Sequence, residues 1–192
     1  MNKVTTRKKY NDSWIYIFLL SSLVILIESA KTYTLNIFKQ NITSVIFLIP
    51  FIYAITNYIT KVYGFKKGLS AIGISIISLL IYIVLINFAI GKEMLITDLM
   101  GGLLGYIISQ LVNIMIYKFL LSNTDSPYLL ILLTYIFAYI VFYMVYTLVK
   151  LNTIVVGNFW LPYFIVLIIQ TIMSIFISII DKRVKPGIGK ND

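Results

Sequence analysis

A chain of 192 residues that is 60% hydrophobic and only 12% charged, with a mean hydropathy of +0.95, carries more apolar side chain than a soluble core of that length encloses. It has no Cys and no His, which removes disulfides, thiolate nucleophiles, zinc-type sites and imidazole acid–base chemistry together; no cofactor is implied. The formal charge of +9 reflects topology and not a nucleic-acid partner, because the basic residues flank apolar runs on alternate sides.

The apolar residues fall into six long runs, which predicts an all-α polytopic membrane protein. A single six-helix transmembrane domain is expected over 14–180, between basic tails at 1–13 and 181–192. The first tail holds Lys3, Arg7, Lys8 and Lys9 and is expected to be disordered or to lie at the interface. It leads into a full-length apolar run, so it is not read as a cleavable signal peptide. Span 1 is expected from Trp14 to Ile37. Glu28 and Lys31 lie three apart in its C-terminal half, either as an inward-facing pair or with Lys31 snorkelling outward. Span 2, Thr43 to Val62, has Pro50 near its start, Asn57 at mid-depth and Lys61 at its end. A loop through Gly64 leads to span 3, Leu69 to Ile90, which has little polarity and is expected to pack and face lipid.

Span 4, Leu99 to Leu120, carries two patterns. Gly101, Gly105 and Ser109 form a small-xxx-small ridge suited to a partner helix or a homodimer. Tyr106, Gln110, Asn113 and Tyr117 form one stripe of a 3.6-residue helix, either lining a cavity or joining helices by hydrogen bonds. Span 5, Tyr128 to Val149, repeats Tyr135, Tyr139 and Tyr143 every four residues, with Tyr146 following. That stripe suits packing or stacking on a flat ligand. Span 6, Phe159 to Ile180, holds Pro162 and Gln170.

Twelve of the sixteen basic residues fall on the side of both termini, which are therefore expected to be cytoplasmic. The composition suits a bacterial cell membrane. No phosphate-binding loop is present, and Glu28 is the one acid deep in a span, so an enzyme is not expected. Polar, uncharged and aromatic side chains on inward faces suit binding of a small, flat, polar molecule near mid-membrane. The candidate binding residues are Tyr53, Asn57, Tyr106, Gln110 and Asn113, with Glu28 and Gln170 behind them.

Two motifs carry a family resemblance. The stretch IPFIYAITNYITKVYG has Pro50, Tyr53, Thr56, Tyr63 and Gly64 in pattern, and GYIISQLVNIMIY has Tyr106, Ser109, Gln110 and Tyr117. In these, and in the order and spacing of its spans, the chain resembles the VUT family (vitamin uptake transporter, or queuosine precursor transporter). The resemblance implies six spans and carriage of a 7-deazaguanine base. The family's acidic positions in spans 2 and 4 are Asn57 and Asn113 here, span 5 has no acid, and the Lys of the last span has no counterpart near Gln170. An amide offers a donor and an acceptor where a carboxylate only accepts, so a substrate of mixed donors and acceptors is expected. The alternatives are a substrate-binding subunit of an energy-coupling-factor type importer, or a non-transporting accessory protein.

Overall fold

The computed structural model describes residues 3–30, 33–90, 96–124, 126–150 and 160–181. They form α1 (Lys3–Ala30), β1 (Thr34–Ile37), β2 (Gln40–Thr43), a 3-10 turn (Ser44–Phe47), α2 (Ile49–Tyr63), α3 (Phe65–Ile90), α4 (Ile96–Asn123), α5 (Pro127–Lys150) and α6 (Trp160–Asp181). Among the described residues, five segments are long and apolar enough to cross a membrane: Asp12–Ala30, Ser44–Tyr63, Phe65–Ala89, Gly101–Asn123 and Tyr128–Tyr146. The apolar part of α6, Trp160–Met173, is shorter. Large apolar side chains such as Phe18, Leu85, Phe88, Phe119 and Phe164 stand on the outside of the helices. Exposure on that scale suits hydrocarbon and not water.

Span 1 does not reach Ile37. Its helix stops at Ala30, and the chain enters an antiparallel hairpin pairing Thr34 with Thr43, Leu35 with Ile42, Asn36 with Asn41 and Ile37 with Gln40. The cause is local. From Thr34 to Ile37 polar and apolar residues alternate with period two, which a strand sorts onto opposite faces and a helix does not. The turn is Phe38–Lys39, with φ of 51° and 65°, the left-handed pair that a two-residue hairpin loop requires. The basic stretch before span 1 is helical from Lys3 and continuous with α1. Lys31, the expected neighbour of Glu28, lies outside the described residues, as do 182–192 of the second tail.

The expected loop between spans 2 and 3 shrinks to Gly64. Its φ of 90° ends α2, and α3 begins at Phe65 instead of Leu69. Pro50 sits in the first turn of α2, where its missing N–H has no helical partner to lose.

α2 is the central helix and contacts the other five. On one side of it lies an apolar cluster drawn from α1, α3 and α4, with Leu20, Ile59, Ala71 and Ile114 at its centre. On the other lies a cluster from the hairpin, the 3-10 turn, α5 and α6, including Ile46, Tyr53, Tyr135 and Val166. The most extensive helix pair is α4 with α5. A β-carbon on Gly105 would stand 3.2 Å from the Phe142 ring, and one on Gly101 would stand 3.5 Å from Tyr146. The small-residue ridge expected to receive a partner is thus occupied at both glycines by α5 of the same chain.

Candidate functional site

Buried polar groups on α2 divide into two kinds. Thr56 and Thr60 donate back to their own helix, to the carbonyls of Ile52 and Thr56, each at 2.8 Å. Asn57 reaches across to other helices instead. Asn113 Nδ2 donates to Asn57 Oδ1 at 2.7 Å, and Asn57 Nδ2 donates to Thr134 Oγ1 at 3.5 Å. The Thr134 hydroxyl donates to the carbonyls of Leu130 and Ile131 at 2.8 and 2.9 Å. One side-chain line therefore ties α4, α2 and α5 together in the bundle interior. A second tie joins α4 to α3. Ser75 donates to the Ile72 carbonyl at 2.7 Å, which leaves the Tyr106 hydroxyl to donate to Ser75 Oγ, also at 2.7 Å.

Beside this polar layer lies a cavity of about 540 Å³. Its walls come from the C-terminal half of α1 (Val24, Ile27, Glu28), the hairpin and 3-10 turn (Ile42, Val45, Ile46), and the start of α2 (Ile49, Ile52, Tyr53). The N-terminal half of α4 adds Gly102, Tyr106, Ser109 and Gln110. The C-terminal half of α5 adds Tyr139, Phe142, Tyr143 and Tyr146, and α6 adds Pro162. Chain direction alternates along the bundle, so these segments share the end that carries the hairpin.

Aromatic rings make much of the wall. Phe142 and Tyr146 stack at 6.1 Å with planes 9° apart. Tyr139 stacks on Tyr135 at 5.9 Å, and Tyr135 meets Tyr53 edge-on at 5.5 Å. The tyrosine stripe of α5 therefore does both of the things its spacing allows. Tyr135 is fully buried packing, whereas Tyr139, Tyr143 and Tyr146 line the cavity.

Of the seven candidate residues, Tyr53, Tyr106, Gln110 and Glu28 line the cavity. Asn57 and Asn113 do not. They sit one helical turn further along α2 and α4 from Tyr53 and Gln110, fully buried and bonded to each other. Gln170 is buried on α6 and is not a lining residue. Thr134 and Ser75 were not singled out by the sequence, although both join the network. Thr134 had a signal: it is the one polar residue in the opening run LLILLT of α5.

Comparison with protein-family models, curated proteins and solved structures gives no match to the chain.

Proposed function

We propose that the chain is a carrier for a small, flat, polar molecule, working by alternating access in a bacterial cell membrane. It would have six spans and cytoplasmic termini, and be a divergent relative of the VUT family with a 7-deazapurine as the substrate type. The observation that carries this reading is the cavity of about 540 Å³ with aromatic walls and a floor of Tyr53, Tyr106 and Gln110. Small-molecule sites run from roughly 300 to 1,000 Å³, mostly apolar, with a few polar groups that orient the ligand. A bicyclic base fits that size, and stacked rings suit its faces.

With the termini inside, the hairpin end is outside and the cavity faces outward. Beyond its floor, the Asn113–Asn57–Thr134 line draws three helices together and closes the path inward. Alternating access requires that line to part and a seal to form at the hairpin end.

The test is uptake of labelled 7-deazaguanine bases by cells that lack their own import route. Expression of the chain should confer uptake. Tyr53→Ala or Gln110→Ala should abolish it while the protein stays in the membrane. Uptake unaffected by both changes removes this site. Uptake only when an ATPase and a coupling protein are co-expressed makes the chain a binding subunit instead.

A further inference from the structure

Two carbonyl oxygens in the polar layer have no donor. Gln110 Oε1 and Asn113 Oδ1 are buried and have no hydrogen-bond partner among the described residues. The two residues are three apart on one stripe of α4, a spacing at which helical side chains are neighbours.

The rest of the network runs one way, and its direction is set from α5. The single proton of the Thr134 hydroxyl goes to the backbone carbonyls of Leu130 and Ile131, so Thr134 offers Asn57 only an acceptor. Asn57 must therefore turn its nitrogen to Thr134 and its oxygen to Asn113. Asn113 must turn its nitrogen to Asn57, which sends its oxygen the other way. Each amide is oriented by the one before it, and donors aligned head to tail reinforce one another.

One continuation supplies the missing donor. If Gln110 directs Nε2 to Asn113 Oδ1, the line is complete and Gln110 Oε1 turns to the cavity that Gln110 lines. The opposite orientation has the same shape but buries two acceptors with nothing to accept, and each then bears the full cost of its lost hydration. We propose that Gln110 binds ligand in the carbonyl-out orientation, with Nε2 donating to Asn113 Oδ1, and that Thr134 is the positioning residue that sets this polarity. The inference rests on the cavity being a small-molecule site and adds the edge chemistry it takes. The ligand edge at the floor is an N–H or O–H donor. An edge that offers only lone pairs meets the Gln110 carbonyl oxygen and is rejected.

The first arm of the test needs no ligand. The chain has three glutamines, Gln40, Gln110 and Gln170, so the side-chain amide of Gln110 in ¹⁵N-glutamine-labelled protein in nanodiscs is assigned by its loss in Gln110→Leu. Its protons are expected to exchange with water about ten- to a hundredfold more slowly than those of free glutamine, the protection of one buried hydrogen bond. Thr134→Val should remove most of that protection and Thr134→Ser should keep it. Exchange at the free rate in the unaltered protein overturns the proposal.

The second arm compares 7-deazaguanine with 6-methoxy-7-deazapurine, whose six-membered ring has neither the N1–H nor the exocyclic amino donor and offers only lone pairs. The amino-bearing base should bind about ten- to a hundredfold more tightly. That preference should fall in Thr134→Val and survive in Thr134→Ser. Binding of both bases with a preference unmoved by Thr134→Val overturns the proposal. Slow exchange with neither base bound upholds the amide polarity and sinks the assignment of the substrate type.

Discussion

Removing one asparagine of the interior pair is expected to cost nearly as much as removing both. In Asn57→Ala the acceptor of a 2.7 Å bond is gone, and Asn113 Nδ2 becomes a buried donor with nothing to bond. Such a group costs about 1–3 kcal/mol. The bond from Asn57 to Thr134 is long, at 3.5 Å, and Thr134 keeps its own backbone bonds, so that side adds little. Asn113→Ala strands Asn57 Oδ1 by the same logic. With Gln110 Nε2 donating to Asn113 Oδ1, Asn113→Ala also removes that acceptor, but the double variant shares this cost and it drops out of the coupling. The double variant leaves no stranded atom of this pair and retains mainly that shared cost and the cost of the missing volume.

Hydrogen bonds between membrane helices couple by about 0.6 kcal/mol on average and up to about 1.7. A 2.7 Å bond closed off from water belongs at the upper end, so the coupling is expected near 1–2 kcal/mol, with about 1.4 kcal/mol being tenfold in the unfolding equilibrium. Reversible unfolding in mixed micelles of the four proteins of the cycle measures it. Additivity of the two single changes within about 0.3 kcal/mol would refute the reasoning, because it would mean that the two amides do not meet.

Three further outcomes are expected. A β-carbon at Gly68 runs into the Thr60 hydroxyl, which is committed to the Thr56 carbonyl, so Gly68→Ala should lose about 1–2 kcal/mol despite the helix preference for Ala. Gly73→Ala on the same helix meets nothing within 4 Å and should be neutral or gain up to about 1 kcal/mol, and melting in detergent should show the opposite signs. At the α3–α4 tie, Ser75→Ala leaves the buried Tyr106 hydroxyl without its acceptor and should cost about 1–3 kcal/mol, whereas Tyr106→Phe leaves Ser75 bonded to Ile72 and should cost about 1 or less. Because the chain has no native cysteine, Lys39→Cys in the hairpin and Lys66→Cys at the start of α3 are unique labels. An impermeant maleimide should reach the first in intact cells and the second only after permeabilisation, and the reverse pattern would invert the topology.

Much of this site was visible in the one-dimensional pattern, and the residues it missed share a cause. Tyr106, Gln110, Asn113 and Tyr117 repeat with helical period, and all four are buried in the bundle. Period reports which face turns inward. It does not report depth along the axis, so Gln110 at the cavity and Asn113 behind it look alike in sequence. Thr134 has no polar residue three or four places away, and Ser75 is one of several serines on α3, with Ser78 three further on, so spacing does not mark either. The hairpin was obscured for a different reason. Apolar residues recur among the polar ones from Val24 through Ile37, and that mixture does not by itself separate a helix end with an inward polar face from a shorter helix followed by a strand.

Composition and run length by themselves determined that this chain is helical and built for a hydrocarbon surround, since no aqueous fold hides so much Ile, Leu and Phe. Period determined the inward face of α4. Only the tertiary structure decided which faces meet: that α2 stands at the centre, that the Gly101 and Gly105 ridge receives α5 of its own chain, and that Asn57 lies between Asn113 and Thr134. A helix surface states what it needs, a small neighbour or a donor for an acceptor. Which helix satisfies that need depends on residues 21 and 56 places apart in the sequence that only the packed bundle brings together, as Asn113 is from Thr134 and from Asn57.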